Sequence, residues 1–133
     1  MCKWASDLGY KGIQIPTWEN FLIDLDKAAE SQDYCDELVG KVRSYGLEIT
    51  ELSTHLQGQL VAVHPAYDLM FDNFAPDKLK KNPKERTEWA IETVKKAAVA
   101  SRRLGIKAHA TFSGALLWHT WHPWPQAPRG LVE

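Results

Sequence analysis

Three times along this chain a helical stretch runs into a glycine and an apolar, strand-like stretch begins within a few residues. The joints are Asp7-Leu8-Gly9-Tyr10-Lys11-Gly12-Ile13-Gln14-Ile15-Pro16, Ser44-Tyr45-Gly46-Leu47-Glu48-Ile49-Thr50-Glu51-Leu52 and Arg103-Leu104-Gly105-Ile106-Lys107-Ala108-His109-Ala110-Thr111-Phe112. Glycine ends a helix because it accepts the left-handed backbone geometry just past the last turn. A strand that restarts after so short a gap is the αβ loop of an α/β unit. In series, the joints predict parallel strands over 12–16, 47–54 and 106–112, in sequence order and linked by right-handed crossovers. Parallel α/β folds build their sites at the C-terminal strand edge. Chemistry is therefore expected at Trp18 and Glu19, at Ser53 to His55, and from Ser113 onward.

At 133 residues the chain falls in the range of one domain and can bury a core. A complete (β/α)8 barrel takes about 250 residues. With strands for only part of one, and Met1-Cys2-Lys3-Trp4-Ala5 entering a helix end directly, the expectation is a partial TIM barrel spanning 1–133. A small three-layer α/β domain is the alternative. Net charge is −1, from 16 basic and 17 acidic residues, so no global field favours nucleic acid or an anionic membrane. Lys95, Lys96, Arg102 and Arg103 share one helix and read as a solvated face. Apolar runs fall short of the ~20 residues of a membrane span, and the first residues lack a signal-peptide core. Cys2 and Cys35 have neither metal-site spacing nor the number for a disulfide framework. A cytoplasmic protein fits these features.

Asn20 is a candidate cap for a short helix over 21–29. A second helix over about 31–45 carries Leu38, Val42 and Tyr45 on one stripe, with Asp24, Asp26 and Ser31 all possible caps. After strand 47–54 comes a long βα loop, about 55–81, where loops of ~2–6 residues are usual. It holds Leu60, Val63, Tyr67, Leu69, Met70, Phe71 and Phe74, too many large apolar groups for a disordered linker. It reads as a packed excursion over the strand edge, and as a candidate oligomer contact. The next helix is sharply marked: Asn82 caps it, Pro83 takes its first position and Glu85 completes a capping-box pattern. Ala90, Val94, Ala97, Ala98, Ser101 and Leu104 form its core face, and Gly105 ends it.

His55, where the second strand runs out, can bind a substrate hydroxyl, move a proton or ligate metal; its other reading is an anchor for the long loop. Gln14 and Glu51 occupy equivalent strand positions between apolar neighbours. Facing a barrel lumen, they would need partners, either a substrate or each other; a solvent-filled barrel end is the alternative. His119 and His122 form a lone H-x-x-H, followed by Pro123 and without a nearby acidic or cysteine ligand, which is weak support for metal. Trp118, Trp121 and Trp124 are either a hydrophobic plug or a stacking surface for a sugar ring. Thr111-Phe112-Ser113-Gly114 would let a ligand approach the backbone, but G-x-S-x-G, P-loop and G-x-G-x-x-G motifs are all missing.

Taken together, Ala5 to Ile15, Gly46 to His55, and Leu104-Gly105-Ile106 through Phe112-Ser113-Gly114 resemble the sugar phosphate isomerase/epimerase family, the xylose-isomerase-like TIM barrels. The resemblance covers nearly the whole chain and makes its strands the second, third and fourth of eight. It implies a fragment of a metal-dependent sugar or cyclitol isomerase or epimerase, acting by proton transfer next to a carbonyl. The full-length enzyme would carry a divalent metal (Mn, Mg, Co or Zn) on two Glu, one Asp and one His of later strands, and this fragment none. No metal ligand or catalytic residue is therefore carried onto this sequence, and the fragment alone is expected to be inactive. What carries over is a substrate-facing rim of Trp18, His55 and Ser113, for a small sugar or cyclitol, in a possible homo-oligomer. A non-catalytic carbohydrate-binding or regulatory half-barrel is the alternative. An abasic-site endonuclease-like reading is opposed by the charge of −1 and the scattered histidines.

Overall fold

The computed structural model describes residues 1–18 and 20–117. In chain order its elements are α1 (Cys2–Asp7), β1 (Gly12–Pro16), α2 (Leu25–Glu30), α3 (Gln32–Arg43), β2 (Glu48–Thr54), α4 (His55–Gln59), α5 (Asp68–Phe71), α6 (Pro83–Arg103) and β3 (Ala108–Thr111). Single 3-10 turns at Pro65–Tyr67, Asp72–Phe74 and Asp77–Leu79 punctuate the stretch between α4 and α6. The described chain divides into two compact units, 1–55 with 92–111, and 56–91 with 112–117.

The first unit holds the sheet. Its strands run parallel in the order β1-β2-β3, an open sheet as expected of part of a barrel. The three joint glycines, Gly9, Gly46 and Gly105, have φ of 84°, 71° and 71°, the left-handed geometry that stops each preceding helix. At the third joint the amides of Gly105 and Ile106 bond back to Arg102 and Ser101. Closing the helix occupies the backbone that would have opened the strand, so β3 starts at Ala108 instead of 106. α2 also differs from expectation: it begins at Leu25, capped by the Asp24 carboxylate on the Lys27 amide. Asp24 combines a cap bond with negative charge at a helix N-terminus, which Asn20 cannot. Ser31 caps α3 through the Tyr34 amide.

The core of this unit joins Ile13, Ile15, Leu47, Ile49 and Leu52 from the strand segments to Ala28, Cys35, Val42, Ala97, Ala100 and Leu104 from the helices. Ala100, not Ala98, continues the buried stripe of α6. The β1–β2 register carries a bulge: Ile13 faces Ile49, but Gln14 faces Glu51, leaving Thr50 extra. The Thr50 hydroxyl fills the gap by donating to the Ile13 carbonyl at 3.1 Å.

The second unit turns the long loop into a packed body with its own core of Leu60, Phe71, Ala90 and Ala115, flanked by Val63, Tyr67, Phe74 and Trp89. At its centre the Arg86 side chain is 1% exposed. Nη1 donates to Asp72 Oδ1 and to the Asp68 carbonyl, both at 2.7 Å, and Nη2 donates to Asp68 Oδ1 at 2.5 Å. The other Asp72 oxygen accepts from the Lys81 amide at 2.8 Å. Gly114 closes this unit at φ 112°, with its amide on the Gly58 carbonyl; a Cβ there would stand 2.8 Å from that of Ala62.

Candidate functional site

Two strand ends build the site. Past Pro16, Thr17 prolongs the β1–β2 ladder, its amide and hydroxyl both donating to the Ser53 carbonyl at 2.9 and 3.0 Å. That double bond pins the turn carrying Trp18. On the neighbouring strand, His55 follows Thr54 directly as the first residue of α4. The two rings meet with centroids 6.2 Å apart and planes at 59°. Both are half-buried, so each keeps accessible surface beside the other. A tilted indole–imidazole pair offers an apolar face next to a polar edge.

Lower on the same strands, the register aligns Gln14, Glu51 and Ala108 in one row and Pro16, Ser53 and Ala110 in the next. Gln14 Nε2 donates to Glu51 Oε1 at 2.5 Å, so these polar residues find each other, one of the three outcomes anticipated for them. The Ser53 hydroxyl is fully buried and has no hydrogen-bond partner among the described residues. The intervening positions put Ile15, Leu52 and His109 on the opposite, helix-covered face.

Trp18 and His55 are thus brought together. Ser113 is exposed and belongs to the second unit. Glu19 and the Trp118, His119, Trp121, His122 and Trp124 cluster lie outside the described residues. The sequence reading passed over His109, whose ring bonds Thr54 and Ser101 from the helix-covered face. Its signal was available in part: a histidine in the middle of an Ala/Thr strand must find polar partners or remain unsatisfied.

A family model described as xylose isomerase-like TIM barrel matches residues 2–129. The chain belongs to that family. The match agrees with the parallel strand order of the sheet. No curated protein matches the chain. Among the described residues no three His, Cys, Asp or Glu side chains group as a site for the divalent metal expected of the full-length enzyme. Among those residues, too, no helix is long and apolar enough to cross a membrane.

Proposed function

We propose that this xylose isomerase-like chain supplies the substrate-holding rim of a sugar or cyclitol isomerase or epimerase. Trp18 and His55 hold the ligand. The observation that carries this reading is the Trp18–His55 pair, set by adjacent parallel strands at their C-terminal ends. A sugar presents C–H faces and hydroxyl edges together. The Trp18 indole stacks on the former, and the His55 ring donates to or accepts from a hydroxyl. Glu51, held by Gln14, keeps a fixed acceptor oxygen on the row below.

Tryptophan fluorescence and calorimetric titration with a panel of aldoses, ketoses and cyclitols, with and without Mn²⁺, test the proposal. At least one member should bind. Trp18→Ala should weaken it about ten-fold or more, and His55→Ala less, since a neutral hydrogen bond contributes about 0.5–1.5 kcal/mol. His55→Gln should recover part of that, because it keeps a donor and an acceptor. If no sugar binds, or the variants bind as the parent does, the rim reading fails. Binding with no metal-stimulated turnover in any assembly of the protein would favour the non-catalytic carbohydrate-binding alternative.

A further inference from the structure

On the helix-covered face of the sheet, His109 Nε2 lies 2.9 Å from Thr54 Oγ1, and its Nδ1 lies 3.2 Å from Ser101 Oγ. The Thr54 hydroxyl gives its single proton to Thr111 Oγ1 at 2.8 Å. It can therefore only accept from His109, so Nε2 carries the proton and Nδ1 is left with a lone pair. That lone pair faces Ser101 Oγ, which then donates to it. The chain of bonds is directional: Ser101 to His109, His109 to Thr54, Thr54 to Thr111.

We infer that Ser101 and His109 form a second reactive centre, a serine nucleophile with an imidazole base oriented by Thr54, which takes small activated acyl esters. Nucleophile, base and orienting group within hydrogen-bond reach are the minimum arrangement for covalent acyl transfer. Ser101 and His109 line a groove of about 440 Å³ together with Ala98, Ile106 and Ala108, and Arg102 and Lys107 bring positive charge to it. The alanines leave room for a small acyl group, and the cations favour the negative oxygen of a tetrahedral intermediate. Burial lowers the His109 pKa and His55 lowers it further, against an upward pull from Glu51, so the ring is a neutral base at pH 7.

In the reaction Ser101 Oγ bonds to the ester carbonyl carbon and passes its proton to His109 Nδ1. The intermediate then breaks its bond to the leaving alcohol, which takes that proton away and leaves an acyl-serine. Nothing in this step requires an oxidant, a metal or a second protein.

The probe is p-nitrophenyl acetate with the full chain near neutral pH, read by nitrophenolate release and by peptide mapping. Acetate is expected on Ser101, with release lost in Ser101→Ala and slowed ten-fold or more in His109→Gln. Thr54→Val should slow it and Thr54→Ser restore it, a rescue that a purely structural threonine would not show. Imidazole nitrogen NMR on the unaltered chain, which depends on no variant folding, should report the Nε2–H tautomer. An unlabelled Ser101, or a proton on Nδ1, would overturn the inference and leave the network as a structural brace.

Discussion

Burial decides the protonation of His109, and through it one part of the protein's response to acid. Desolvation holds its pKa below the ordinary 6.5, with His55 adding to that and Glu51 opposing it. As pH falls, the unfolded chain takes up this proton first, so stability is full above 6.5 and declines in the interval below it, down to the folded value. Melting temperatures at about pH 7.5 and about pH 5.5 should show a larger acid drop in the parent than in His109→Gln. An identical drop would mean that the ring is charged in the folded state. Asp72 acts in another range. Burial opposes its ionisation, but the Lys81 amide and the Arg86 bond and charge outweigh it, so its pKa lies below 3.8 and its contribution is lost only beneath that. The placing of Trp18 and His55 was legible in the sequence because each lies within two residues of a strand's C-terminal end. His109 was not: strand alternation says which face a residue takes, not that a helix serine eight positions earlier waits there.

At the scale of elements, the glycine joints and the Asn82-Pro83 start of α6 could be read directly, since backbone conformation and a missing amide are local properties. The α4–α6 stretch could not, because helices of five and four residues leave no periodic trace. Arg86 was equally hidden. An arginine in the first turns of a polar helix looks solvated until two aspartates from the preceding loop close on it. Removing one partner of a buried ion pair costs about 3–5 kcal/mol, because the remaining charge stays desolvated. Arg86→Met should destabilise the 56–91 unit by that order in urea unfolding, whereas Lys95→Met, on an exposed pair, should change little. Equal effects would place the Arg86 cluster among ordinary surface contacts.

For the whole molecule, the described sheet has one unpaired edge on β1 and another on β3. Unpaired edges template association, and Trp4, Leu8, Tyr10 and Phe112 are large apolar side chains more than half exposed. The chain should associate beyond a monomer in light scattering and bind a hydrophobic dye; a dye-silent monomer would contradict this. The bulge at Thr50 has a consequence for insertions and deletions. Ile49 and Glu51 already take the two alternating faces of the sheet without it, so Thr50 behaves as a supernumerary codon in an otherwise regular strand. Losing that codon should preserve the Gln14–Glu51 pairing, whereas losing Leu52 would throw the end of β2 onto the wrong faces. The surplus residue also constrains its neighbour, for a Cβ on Gly12 would run into Thr50 Cγ2. Gly12→Ala should therefore be poorly tolerated alone and accepted alongside Thr50→Ser, which removes that methyl group. A family lineage lacking the extra codon would be free to vary the glycine.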